Sequence, residues 1–395
     1  MHSVIRKRQG LPWQPEEPKG LSANLSHLVG VQVQPGPFPT DELGLAYSQR
    51  SHPKLVKQVV SEDDVLRRKA LAHVCEQLRY ARETAGFLPA GIVPALNQSA
   101  EHATDAETRT LATAALARLV LEGNGREHML KDGASFSVPV LLRLVVDTEP
   151  AVRKNALACV LRLGKDIDGA AALVAGGSVK LLVTRCTEES AELLAPVLAA
   201  LEACMMQSAA GLQQAIELKA IEVVCKLLGQ NPSLEILEHA CFCLATLTVG
   251  GDEKKVAVAQ GCVPHLIMFI AKVIHASDDA ASMIERVATA AAAALMSLTI
   301  DNDCKAEAVK AGAVKALAPL LQNAIETELA VGLDHSNTTL TANVTKAMAN
   351  LAEHPLGRKQ LHAAALQDLI ALSESNDELM TKNVAIAVQK VTWKP

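Results

Sequence analysis

Ala311-Gly312-Ala313-Val314-Lys315-Ala316-Leu317-Ala318-Pro319-Leu320-Leu321 decides the fold, because its pattern of a glycine followed by an apolar run returns along the chain. Related segments open at Gly91-Ile92-Val93-Pro94, Gly177-Ser178-Val179, Lys219-Ala220-Ile221 and Gly261-Cys262-Val263-Pro264, with looser copies at Gly133 and Ala364. The glycine position falls at 91, 133, 177, 219, 261, 312 and 364, in steps of 42, 44, 42, 42, 51 and 52. A fixed period of this size has to be read before any other feature.

Each piece of the period has a physical reading. The glycine ends a short helix where a left-handed backbone is needed, and Pro94, Pro139 and Pro264 then sit in a first turn, where no intrahelical N–H is lost. A longer third helix follows, expected over Val65–Leu78, Glu107–Leu121, Ala151–Gly164, Glu192–Met205, Leu234–Val249, Met283–Ile300, Leu340–His354 and Glu378–Trp393. Interiors such as Ala156, Cys159, Val160, Leu163 and Val344, Ala347, Met348, Leu351 follow the i, i+3, i+4, i+7 spacing of one buried face. Their starts carry capping chemistry at Ser61-Glu62-Asp63-Asp64 and a proline at Pro150.

Three helices on a period near 42 predict an all-α, right-handed armadillo/HEAT-like superhelical solenoid of about eight repeats over residues 53–395. The two long steps place insertions near 271–282 and 324–339. Both stand open between contact loops on one face and tolerated length drift. Residues 1–50, punctuated by Pro12, Pro15, Pro18, Pro35, Pro37 and Pro39, read as an extended N-terminal arm that cannot bury a core alone. Within it Trp13 is a candidate partner-binding anchor or simply an exposed residue, and the sequence leaves open whether the arm orders only on binding.

Composition narrows the function. Apolar residues make up 49 % of the chain but aromatics only 2 %, so Ala, Leu, Val, Ile, Cys and Met must fill the core. Net charge is −5, and the one dense basic spot, Arg6-Lys7-Arg8, reads as a solvated tail rather than a targeting signal, so no nucleic-acid partner is expected. Nine cysteines without a CxxC pair point to reduced core thiols in a reducing compartment. The longest apolar stretch, Val287–Ile300, is short of the roughly 20 residues of a bilayer span, so no membrane partner is expected either.

No constellation argues for catalysis, a cofactor or a small-molecule substrate. His239, Cys241 and Cys243 lack the further ligands of a zinc site and read as core thiols. Asp301-Asn302-Asp303 fails as a calcium loop because Ala306 and Gly312 hold the positions that need glycine and glutamate. Gly123-Asn124-Gly125 continues into neither a dinucleotide fingerprint nor a P-loop. The expectation is a non-enzyme.

The third helices of such repeats line a groove, and one position in each projects into it: Gln77, Arg118, Arg162, Ala203, Thr246, Ser297, Asn350 and Lys390. Import adaptors of this fold carry Asn there in most repeats; here only Asn350 matches. Arg118 and Arg162, supported by Arg153 and Lys154, make the first half of the groove basic, which fits an acidic partner segment or, equally, arginines solvated on an open face.

The stretch Asn343-Val344-Thr345-Lys346-Ala347-Met348-Ala349-Asn350-Leu351-Ala352-Glu353-His354-Pro355-Leu356-Gly357-Arg358-Lys359-Gln360-Leu361, with the ending Trp393-Lys394-Pro395, resembles the armadillo proteins of ciliary radial spokes. Members of that family share an NATKAL…LAE.P.GRK.L stretch and close with WKP; Gly44-Leu45-Ala46-Tyr47 and Arg67-Arg68-Lys69-Ala70-Leu71 look similar too. The resemblance runs from about residue 44 to the end. It implies a structural subunit of the radial spoke in the axoneme of motile cilia or flagella, a cytoplasmic, cytoskeletal location, and other radial spoke proteins as partners. The alternative is a soluble cytosolic adaptor binding acidic peptide segments of partner proteins.

Overall fold

The computed structural model describes residues 43, 50–131, 137–272, 281–331, 335–373 and 378–393. These residues form 23 helices and no strand. Eight long helices set the architecture: Asp64–Gln77, Ala106–Leu119, Pro150–Gly164, Ala191–Gln207, Leu234–Leu247, Ala281–Leu298, His335–Leu351 and Glu378–Thr392. Each packs on the long helix before and after it, while the other helices, all short except the 19-residue Ala313–Val331, cover one side. The core is therefore a continuous ribbon rather than a ball, and every repeat depends on its neighbours for burial.

The local chemistry matches the period. Asp63 caps the first long helix, accepting hydrogen bonds from the backbone N–H groups of Val65 at 2.9 Å and Leu66 at 3.1 Å. Pro150 opens the third at its first position. At the junction between short helices, Gly91, Gly177, Gly261 and Gly312 have φ of 82°, 87°, 75° and 88°. Lys219 occupies the same repeat position with φ 57°, a left-handed conformation taken without glycine.

A second glycine position, the third residue of a short helix, reflects close backbone approach. At Gly125, Gly169, Gly211 and Gly357 an added Cβ would stand under 3.0 Å from the carbonyl oxygens of Leu119, Leu163, Cys204 and Leu351. The short helix thus rests its backbone directly on the end of the preceding long helix.

Small and aliphatic side chains fill the ribbon, and among the described residues only Phe87 and Phe269 supply large buried aromatic bulk. A fully buried Leu such as Leu116, Leu157 or Leu244 contributes about 2 kcal/mol by removal from water. Ala281–Leu298 is long and apolar enough by composition to cross a bilayer, contrary to the expectation of no such segment. Half of it is buried against neighbouring helices, which accounts for its apolar character.

The insertion near 324–339 falls at the end of the helix Ala313–Val331 and the beginning of the seventh long helix, which starts at His335 instead of Leu340. Residues 273–280 of the other insertion, Trp13 and the rest of the arm apart from Leu43 and Arg50, and Gly133 lie outside the described residues.

Candidate functional site

The groove positions divide into two sets. Toward the carboxyl end they tie repeats together. Ser297, buried, donates from Oγ to the Thr248 carbonyl at 2.8 Å, and the Thr248 hydroxyl donates back to Ser297 Oγ at 3.1 Å. Asn350 donates from Nδ2 to the Met296 carbonyl at 3.2 Å and the Thr299 hydroxyl at 3.4 Å. Lys390 donates to Glu353 at 2.6 Å, and Lys305 reaches the same carboxylate. Burial raises the Glu353 pKa, but these two lysines outweigh it and hold the carboxyl below its usual range.

Toward the amino end the positions stay open. Among the described residues Gln77 shares a hydrogen bond, of 2.9 Å, only with His73 of its own helix. Arg118 is half-buried and Arg162 exposed, and among the described residues neither enters an ion pair. Arg118 lies close enough to Cys75 of the preceding repeat to favour its thiolate, although burial dominates and pushes that thiol up to about 11. Lys154 and Lys165 are exposed on the third long helix and just past its end. Between the two sets, Ala203 is buried and Thr246 donates to the Phe242 carbonyl of its own helix at 3.0 Å.

Arg153 does not belong with the open groove cations. It sits in the first turn of its helix, bonded through Nη1 to the Asp147 and Thr148 carbonyls at 2.9 and 3.1 Å. Through Nε and Nη2 it holds Glu189 of the next repeat at 3.1 and 3.0 Å. Its place is one step of a ladder formed by the fourth residue of the first three long helices. Arg109 grips Asp147 at 2.8 and 3.1 Å and the Ala103 and Thr104 carbonyls, and Arg67 binds the Ser61 carbonyl and faces Asp105 at 3.7 Å. Each guanidinium closes the turn of its own repeat and pairs with the turn of the next.

The acids respond accordingly. Burial raises Glu189, but Arg185 and Arg153 hold it down to about 2. Asp147 is likewise raised by burial and lowered overall by Arg109 and the Glu149 amide. This ladder escaped the sequence reading. Its signal was present as Arg67, Arg109 and Arg153 in steps of 42 and 44, each followed about one period later by an acid.

The other sequence candidates resolve into packing. Cys241 and Cys243 are fully buried, Cys243 donates to the Leu198 carbonyl at 3.4 Å, and His239 faces Glu202 at 3.4 Å. Among the described residues no group of three or more His, Cys, Asp or Glu is placed to hold a metal ion. Asp301 serves as a helix cap, accepting from the amides of Asp303 and Cys304.

Comparison with known proteins fits this geometry. No family model matches the chain. It is similar to Radial spoke protein 14 of Chlamydomonas reinhardtii, 24 % identical over 260 residues that cover 63 % of this chain and 66 % of that protein, a little under two thirds. Among solved structures it resembles a chain from a study of a phosphorylation switch in the cadherin and beta-catenin interaction. That pair has a TM-score of 0.63 at 18 % identity, over 87 % of this chain and 60 % of that one. A designed armadillo repeat protein aligns with TM-score 0.54 at 22 % identity, over 62 % of this chain and 99 % of that one. Another, in complex with the peptide (KR)4, gives 0.52 at 21 %, over 65 % and 99 %. The chain has the armadillo-repeat fold and is related in sequence to Radial spoke protein 14.

Proposed function

We propose that this protein is a non-catalytic structural subunit of the axonemal radial spoke, holding neighbouring spoke proteins through its groove and the 1–50 arm and so supporting ciliary and flagellar motility. The observation that carries this reading is the sequence relation to Radial spoke protein 14 over 260 residues, set on an open repeat scaffold. Detergent and then high-salt fractionation of ciliated cells, followed by mass spectrometry, tests it. Retention in the detergent-resistant axoneme, and loss from spoke-deficient axonemes, is expected. Recovery mainly in the detergent-soluble fraction would overturn it.

A second reading, a soluble adaptor for acidic peptide segments, is favoured by one feature: Arg118 and Arg162 stand open in successive repeats with no ion-pair partner among the described residues. Arginine forks of this kind suit carboxylates. An Arg118→Glu/Arg162→Glu variant should lose partner binding while its unfolding free energy shifts by no more than about 0.5 kcal/mol, since neither side chain enters an ion pair among the described residues. Unchanged partner binding in that variant removes the acidic-segment idea.

A further inference from the structure

Three residues beyond each groove position the chain presents a large exposed apolar side chain in six of eight repeats. These are Tyr80, Leu121, Met206, Val249, Ile300 and Trp393, at 63, 56, 62, 67, 61 and 56 % exposure. The remaining two repeats carry Lys165 and Glu353, both exposed. Among the described residues, the one other large hydrophobic more than half exposed is Ile167, two residues past Lys165. Scattered apolar residues on a surface need no explanation, but these recur at one structural position.

The backbone fixes their direction. The N–H of Tyr80 donates to the Gln77 carbonyl at 3.0 Å, Leu121 to Arg118 at 3.1 Å, Val249 to Thr246 at 3.4 Å and Ile300 to Ser297 at 3.4 Å. An i to i−3 closure is a 3₁₀ turn, in which side chains three apart eclipse one another. These four apolar residues therefore stand over their groove residues; Met206, still inside its helix, and Trp393, just past the last one, hold the same repeat position, which extends the row to six.

We propose that this row is a docking strip for an acidic amphipathic α-helix of a partner protein. Neighbouring packed helices lie roughly 8–10 Å apart, which sets the spacing of the row. An α-helix advances about 10.5 Å in seven residues, so one apolar residue per heptad meets one row residue per repeat. Same-face residues of a β-strand recur every 6.8 Å or so and drift out of step with it.

The charge of the partner follows from Arg118, Arg162 and Lys165, which flank the row where it passes the second and third repeats. Where Lys165 interrupts the row, a cavity of about 650 Å³ opens beside Ile167. Its lining mixes the cations Arg126, Lys131 and Lys165 with the acids Glu127, Asp166 and Asp168 around Leu130 and Ile167, so it has room for one large apolar side chain of the docked helix rather than one of its acids. The inference rests on the protein-binding reading above but not on the spoke assignment.

The test replaces Leu121, Val249 and Ile300, one at a time, by a photo-crosslinking phenylalanine analogue in the full chain expressed in ciliated cells. Val256 and Ile370, exposed at 41 and 44 % but outside the row, serve as controls. Axonemal and detergent-soluble fractions are both mapped by mass spectrometry. All three row positions should crosslink to a single Asp/Glu-rich segment, the Val249 and Ile300 sites about seven residues apart and the Leu121 and Val249 sites about 21 apart, one heptad for each repeat. Yield should be about tenfold above the controls, as for a central contact, and the Arg118→Glu/Arg162→Glu variant should cut it severalfold. Yields equal to the controls overturn the proposal. So do crosslinks to a second copy, to residues 1–50 of the chain itself, or to a segment without acids or heptad spacing. The same analogue at Gln77 and Thr246 separates the two levels: partners captured there but not from the row end this proposal alone, whereas none captured at either ends the binding reading with it.

Discussion

The first three repeats and the two that follow solve the same stacking problem with different chemistry. At the fourth residue of successive long helices the chain carries Arg67, Arg109 and Arg153, then Leu194 and Leu237. The arginines bind the turn carbonyls and an acid of the next repeat; the leucines are 8 and 1 % exposed and pack directly. Around them the middle repeats bury Cys186, Cys204, Cys225, Cys241, Cys243 and Cys262. A solenoid needs each interface to be satisfied, and nothing in the period dictates whether ions or methyl groups satisfy it. The choice sets which interfaces depend most on ion pairs and which on packing, although the middle repeats keep pairs of their own at Glu202 with His239 and Glu238 with Arg286.

The largest effect is expected from Leu237→Ala, which empties a packed site in the middle repeats. Denaturant unfolding should show a loss of about 3 kcal/mol, nearly the same in low and high salt because no charge is involved. A value below 1 kcal/mol would mean that the middle interface collapses to fill the gap. Next comes Arg153→Met, which leaves Glu189, 2 % exposed in its side chain, with Arg185 as its remaining cation. Breaking a buried pair on one side costs several kcal/mol, reduced here by Arg185 to about 2 kcal/mol. An unchanged midpoint would remove the ladder from the account of stability.

Acid sharpens the same contrast. The Glu189 carboxyl is lowered from 4.5 to about 2 in the folded chain. Its contribution is complete above the unfolded value and disappears as pH falls toward 2. Amide hydrogen exchange should therefore show residues 64–164 losing protection before residues 191–247 as pH drops through that window. Simultaneous loss would show that the repeats unfold as one unit. The smallest effect concerns the thiols. Burial pushes Cys159 and Cys186 up to about 12 and Cys75 up to about 11, so native alkylation at neutral pH should be slow at Cys75 and negligible at the others. Rapid native labelling of Cys186 would show that the middle repeats open locally.

The sequence made the long helices legible because burial on one face leaves a 3.6-residue period, and the glycine junctions legible because a left-handed residue has few occupants. Lys219 shows the limit of that second signal: tertiary packing holds a lysine where glycine is expected. The groove list was legible as positions but not as roles. Ser297, Asn350 and Lys390 read as candidate contacts from their place in the repeat, yet their polar atoms reach carbonyls, a hydroxyl or a carboxylate of adjacent repeats. Arg118 and Arg162 occupy the same place in the repeat and stay open.

The sequence by itself determined the repeat length, the three-helix unit and which face of each long helix is buried, because these follow from local geometry and the separation of apolar from polar residues. Only the tertiary structure decided which charges are consumed between repeats, and that Tyr80, Leu121, Met206, Val249, Ile300 and Trp393 are all more than half exposed. Those outcomes depend on residues some 40 to 50 positions apart meeting across a stacked interface, a distance that no local pattern encodes.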